Sequence, residues 1–188
     1  MGQGDATLVS VLAYAGLRPG EALALRWSDI DGDTIRVSRS LSFGDEKATK
    51  TGRSRMVPML AALRWDLASW RLASGRPGEE RFVFPGADGL PWDEGRYRRW
   101  RRFTFKPALE EAGLDRDVRV YDLRHHRASM LIKSGANIVE AARQLGHSPT
   151  VLLDTYAHVI DGEGHGTIDV QAQITNARDS ARSKTAAG

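Results

Sequence analysis

Strand-like alternation is confined to one short stretch of this chain, between Thr34 and Pro58, and almost everywhere else apolar residues recur three or four places apart. That contrast restricts the fold to helices packed around a small sheet. Leu8, Val11, Leu12 and Ala15 form a first helical stripe, ended by Gly16, and Pro19 opens a second helical turn through Glu21, Leu23 and Leu25 to Trp27. Asp31-Gly32-Asp33 is a turn signal leading into a strand at Thr34–Ser38. Thr49–Ser54 reads as a hairpin tip and Arg55–Pro58 as the returning edge strand, where a proline without an N–H can sit.

Helical spacing then resumes with Leu60, Leu63, Leu67 and Trp70. A long helix is expected from Asp93 to Ala112, and another from near Tyr121 to Gly135. Asn137 and Glu140 make a variant capping box for a third, with Ile138, Ala141 and Leu145 on one face. Ser148-Pro149 supplies an N-cap and first-turn proline for the helix that carries Tyr156. The predicted fold is mixed, mostly α with a small antiparallel β-sheet in the N-terminal third. It divides into one domain at 1–160 and a Gly-, Ala- and polar-rich tail at 161–188. In the tail only Val170, Ile174, Ala177 and Ala181 make a weak helical stripe, so it reads as flexible or as docking on a neighbouring protomer.

Several chemistries are excluded early. There is no cysteine, so no disulfide or thiolate metal site can form. No GxxxxGK[ST] loop, HExxH pair or metal-ligand spacing occurs, and adjacent His125 and His126 would diverge by roughly 100° on a helix. No apolar run approaches the roughly 20 residues that span a bilayer. The start of the chain shows no basic segment followed by an apolar one, which fits a cytoplasmic location. The net charge is only +3, but Arg96, Arg98, Arg99, Arg101, Arg102 and Lys106 fall within 11 residues that hold no acid. Such density suits a polyanion, since neutralising phosphates releases counterions. On an amphipathic helix Tyr97, Trp100 and Phe103 or Phe105 would face inward and the arginines outward.

Four residues far apart in sequence carry the chemistry. Arg18 stands in Gly16-Leu17-Arg18-Pro19-Gly20-Glu21, and Arg124 in Tyr121-Asp122-Leu123-Arg124-His125-His126. His147 stands in Leu145-Gly146-His147-Ser148-Pro149, and Tyr156 follows nine residues later in Asp154-Thr155-Tyr156-Ala157-His158-Val159. Cleaving a phosphodiester without metal requires donors that hold its oxygens as charge builds, an in-line nucleophile and a proton for the leaving oxygen. Guanidinium forks meet the first need in a bidentate way that lysine cannot. Tyr156 meets the second, although a phenol with a reference pKa of about 10 needs nearby cations or a base.

This set of boxes, from Thr7 to about Ile160, resembles the tyrosine recombinase (phage-type integrase) family. The resemblance implies that family's mostly helical catalytic fold with a small sheet on one side. It implies that Lys50, in Thr49-Lys50-Thr51-Gly52, enters the minor groove as general acid, with Lys47 a weaker competitor. His147 would donate to the scissile phosphate, and Glu21 would orient Arg18 or simply cap its helix. One position departs from the family's His-x-x-Arg box. Tyr121 stands where the histidine would, able to donate a hydrogen bond but a poor proton shuttle near neutral pH. The change is either tolerated or lowers activity. His125 lies on the same helical face as Tyr121, and family members commonly have a histidine after this arginine.

The implied reaction cleaves a DNA strand to a 3′-phosphotyrosyl link and a free 5′-hydroxyl, then rejoins it to a partner strand. It needs no cofactor, ATP or metal. The implied partners are double-stranded DNA and further protomers assembled on it, with a monomer when free. Family members usually carry a core-binding helical domain ahead of this region. The match begins almost at Met1, so the chain reads as a catalytic domain alone. Two other readings remain at this level: a non-catalytic helix-turn-helix module spanning Asn137 to Val159, which leaves Arg18 and Lys50 without purpose, and a type IB topoisomerase.

Overall fold

The computed structural model describes residues 1–42, 45–48, 54–86, 88–160 and 169–186, without side chains at 45–48, 157–160 and 184–186. The architecture is mostly helical with a small antiparallel sheet, as the periodicity predicts. Helix α1 (Gln3–Ser10) continues into a wider π turn at Val11–Ala15, and Leu8, Val11, Leu12 and Ala15 are all buried. The chain leaves that turn at Gly16, whose φ of 67° lies in the left-handed region that a Cβ disfavours. Two residues later Arg18 caps α2 (Pro19–Leu23).

β1 (Ile30–Asp31), β2 (Thr34–Val37) and β5 (Arg55–Pro58) form an antiparallel sheet in the order β1-β2-β5. Ile35 pairs with Val57 at its centre, both buried, and Pro58 closes the edge strand against Thr34. Between β2 and β5 lies a second hairpin of β3 (Arg39–Ser42) and β4 (Asp45–Ala48), which the sequence pattern does not announce. Its one large apolar residue within the strands, Leu41, is buried, and a lone inward residue leaves no period to read. The expected hairpin tip lies outside the described residues apart from Ser54, and with it Lys50.

After α3 (Ala61–Ala73), α4 (Glu94–Trp100) runs through a π turn at Arg101–Phe105 into α5 (Lys106–Glu111), so the expected long helix is one interrupted rod. The interruption decides which aromatics enter the core. A π turn holds an extra residue, which advances the inward phase. Trp100 and Phe105 are therefore buried, whereas Phe103 is 65% exposed. Next come α6 (Val120–Lys133), α7 (Ile138–Leu145) and α8 (Pro149–Ile160). The Asn137 side chain caps α7 by accepting from the Val139 N–H at 2.8 Å. Glu140 does not complete a reciprocal box, because its carboxylate is taken by Arg143 and Gln144.

Two apolar clusters result. The larger joins α1, the sheet, α3 and the α4–α5 rod. The smaller packs Ala128, Leu131 and Ile132 of α6 against Ala141, Leu145, Leu152 and Tyr156. α9 (Val170–Ala186) lies on α3 of its own chain, with the Arg178 guanidinium paired to Asp66 and placed 5.2 Å from the Tyr14 ring centroid. Its inward side is Val170, Gln171, Ile174 and Arg178, while Ala177 and Ala181 are exposed. An ion pair and a stacked guanidinium supply the contact that the apolar stripe assigns to alanines. Among the described residues no helix is long and apolar enough to cross a membrane.

Candidate active site

The site is built on the C-terminal end of α7. A helix leaves its last carbonyls without intrahelical donors and carries partial negative charge there. Three consecutive carbonyls at this end each accept from a different arginine. Gln144 O takes Arg55 Nε at 2.9 Å, Leu145 O takes a terminal nitrogen of Arg124, and Gly146 O takes Arg18 at 3.0 Å. Arg124 also donates to Gly16 O at 2.5 Å, thereby tying the end of α1's π turn to the end of α7. Gly146 is needed in two ways. Its φ of 65° is left-handed, and a Cβ there would sit 3.1 Å from the Arg55 guanidinium.

Glu21 holds the arginines in register. Its carboxylate takes both terminal nitrogens of Arg55, at 2.9 and 2.7 Å, together with Arg18's backbone N–H and guanidinium, each at 2.9 Å. One carboxylate thus accepts from both the Arg18 guanidinium and the backbone N–H at the start of α2. Burial pushes the Glu21 carboxyl up, but Arg55's bonds and charge, followed by Arg18's, outweigh it and hold the group below its ordinary value. A depressed carboxylate adds stability that is complete above its ordinary value of 4.5 and drains as pH falls through the lower folded value. Glu21→Ala should cost about 3–5 kcal/mol, because it strands a nearly buried Arg55. Thermal melts should record a drop on the order of 10 °C for a chain of this size. A melt within a few degrees of the native protein would show that the carbonyls alone hold these arginines.

Arg124 is 2% exposed. Burial, then the charge of Arg18, pushes it down to about 10, so it stays cationic at neutral pH. Arg18 is the open member of the pair, with its side chain 36% exposed. His147 follows Gly146 directly, and its Nδ1 is buried without a hydrogen-bond partner among the described residues. Burial first, then Arg124, Arg18, His125 and Arg55, push His147 down to about 4. It is therefore a neutral imidazole at neutral pH, able to donate but not to hold a second proton.

Tyr156 lies in the smaller cluster at 4% exposure, and the α8 backbone departs from helical angles there (φ −118°, ψ 17°). Its hydroxyl sits 2.6 Å from His125 Nδ1. Burial pushes the phenol up, and the opposing pull of Arg124 does not reverse this. Tyr121 is 38% exposed on the first turn of α6, its ring edge-on to His125 with centroids 5.2 Å apart. The structure thus brings Arg18, Glu21, Arg124, His147 and Tyr156 around one helix end, with Tyr121 beside it. It also brings in Arg55, which sequence reasoning misses. An arginine on an edge strand is ordinarily solvated, and only the approach of α7 to β5 turns this one inward. Lys47 is on β4 but its side chain is outside the description.

Of the cations on the α4–α5 rod, Arg98, Arg99, Arg101 and Arg102 are exposed. Arg96 differs: it is half-buried, with its guanidinium 4.7 Å from the Trp92 ring centroid. Arg98, Arg101, Arg102 and Lys106 join Arg116 and Arg119 in lining a cavity of about 520 Å³. Arg116 and Arg119 come from the loop after α5 and fall outside the dense run, so linear charge counting overlooks them. Among the described residues, no group of three or more His, Asp or Glu side chains is placed to hold a metal ion.

Known proteins share this arrangement of the chain. The phage integrase family model matches residues 3–163. The tyrosine recombinase XerC of Xanthomonas axonopodis pv. citri (strain 306) is 31% identical over 163 residues, covering 85% of this chain and 48% of the relative. Tyrosine recombinase XerD of Corynebacterium glutamicum is 27% identical over 161 residues, covering 82% and 48%. The chain therefore spans about half the length of these relatives. Among solved structures, the Tn1549 transposon integrase in complex with transposon right end DNA superposes with a TM-score of 0.67 at 22% identity, over 95% of this chain and 59% of that one. The XerA recombinase gives 0.63 at 22% identity, over 94% and 56%. Those two likenesses concern the fold, and the match over residues 3–163 fixes the kinship: this chain belongs to the phage integrase family.

Proposed function

We propose that this domain is the catalytic part of a site-specific recombinase that cuts and rejoins DNA strands through a 3′-phosphotyrosyl intermediate. The observation that carries this reading is the convergence of Arg18, Arg124, His147 and Tyr156 on the end of α7. A phosphate entering there meets Arg18 at the surface, with Arg124 behind it and a neutral His147 N–H beside it. These donors stabilise the charge that builds on the non-bridging oxygens. Tyr156 attacks phosphorus, and Lys50 gives its proton to the leaving 5′-oxygen. The bond energy stays in the phosphotyrosine, so rejoining needs neither ATP nor metal.

Duplex DNA is the proposed partner, held in part by the cavity of cations beside α4 and α5. Further protomers would assemble on it, from a free monomer, and the setting would be the cytoplasm. The helix-turn-helix reading is weaker, because it gives no reason for Arg18, Arg55 and Arg124 to be drawn from distant elements onto α7. The test is covalent capture. Nicked duplexes of randomised sequence, from which the cleaved 5′-hydroxyl fragment diffuses away, should leave an SDS-resistant protein–DNA adduct through the 3′-phosphate. Binding without any adduct would favour a DNA-binding module instead.

A further inference from the structure

We propose that His125 is the general base that takes the phenolic proton of Tyr156. The inference rests on the recombinase reading above and identifies a residue that reading leaves unassigned. Its basis is the 2.6 Å contact between His125 Nδ1 and the Tyr156 hydroxyl. No other described side chain shares a hydrogen bond with that hydroxyl. Imidazole is the side chain best suited to exchange protons near neutral pH. The alternatives nearby are poorer. Tyr121 is a phenol itself and touches His125 rather than replacing it. His147 is disfavoured as a proton acceptor by its burial and by the surrounding guanidinium charges. A base is needed because burial holds the Tyr156 phenol above its ordinary value, so that the free phenolate is scarce.

The resting imidazole carries its proton on Nε2, and Nδ1 accepts from the phenol. As the phenolic oxygen forms the new bond to phosphorus, its proton passes to Nδ1. The P–O5′ bond breaks, and the 5′-oxygen leaves with its electron pair and takes a proton from the general acid. In rejoining, a 5′-hydroxyl attacks phosphorus and gives its proton back to the deprotonated general acid, the phosphotyrosine bond breaks, and the imidazolium returns its proton to the phenolic oxygen.

Single-turnover adduct formation tests this. His125→Gln keeps a polar side chain of similar reach but cannot take the proton, and should slow adduct formation by about 10²–10⁴-fold. A 5′-bridging phosphorothiolate, which leaves without a proton, should not restore His125→Gln although it should restore Lys50→Ala. Adduct formation by His125→Gln within a few-fold of native, or its rescue by the phosphorothiolate, would overturn the assignment while leaving the recombinase reading intact. No adduct from the native protein would overturn both. A second measurement avoids the variants altogether. Nitrogen-15 shifts of His125 in the free native protein at neutral pH should show Nδ1 without a proton, and a protonated Nδ1 would remove the acceptor on which the inference stands.

Discussion

Tyr156→Phe should lose the covalent DNA adduct completely while folding and binding DNA as the native protein does. The ring is part of the α6–α8 cluster, so phenylalanine keeps the packing and removes only the nucleophilic oxygen. The structural cost is one hydrogen bond to His125, worth about 0.5–1.5 kcal/mol. With Tyr156 as the nucleophile, the phosphotyrosyl bond forms on its oxygen, so the loss is total rather than partial. Denaturing gels read the adduct, melting curves the fold, and mass spectrometry of the native adduct the residue linked. The natural competitor is Tyr121, which is exposed and touches the same histidine. An adduct that persists in Tyr156→Phe, or a link mapped to Tyr121 or Tyr97, would sink the assignment.

Arg124→Ala should cut the rate of adduct formation by about 10²–10³-fold, the usual loss when one preorganised donor to a developing anion is removed. Two opposed effects act on its stability. The variant leaves Gly16 O and Leu145 O without their donor, at about 1–3 kcal/mol for each buried group. It also relieves the desolvation of a guanidinium that is almost wholly buried. The first should win, since both carbonyls stay enclosed, but only by a few kcal/mol. Arg124→Lys should recover little, because one ammonium cannot serve two carbonyls and a phosphate in a fixed fork. DNA affinity should fall far less than the rate, since many cations share the backbone contacts. A variant that cleaves within a few-fold of native would show that Arg124 is only a structural tie between α1 and α7.

Part of this site is legible in the linear sequence because several of its elements sit near punctuation. Arg18 precedes Pro19, His147 follows Gly146, and Tyr156 follows Ser148-Pro149 at helical distance. Helix ends leave backbone groups free and side chains near a common surface, so residue type and position together suggest chemistry. Arg55 shows the limit of that logic. On its own strand it is a polar edge residue, and its bonds to Glu21 and Gln144 span 34 and 89 positions. His125 is the reverse case. Its place after Arg124 was plain, but helical spacing ties it to Tyr121 on α6, whereas its closest polar partner is on α8. The inward choice of Phe105 over Phe103 likewise turned on a π turn that no apolar spacing marks.

The sequence by itself determined the helical class, the position of the main antiparallel pairing, the family and four of the residues proposed to act on the phosphate. Periodicity and turn chemistry are local, and a chain with one alternating stretch among helical stripes has few ways to bury them. Only the tertiary structure decided how those residues are held: three guanidinium groups on three successive carbonyls at the end of α7, one buried carboxylate clamping two of them, and an imidazole on the phenolic oxygen. Those contacts join α2, β5, α6, α7 and α8. They depend on directions and distances set by packing between elements far apart in sequence, and the linear order of residues carries no such information.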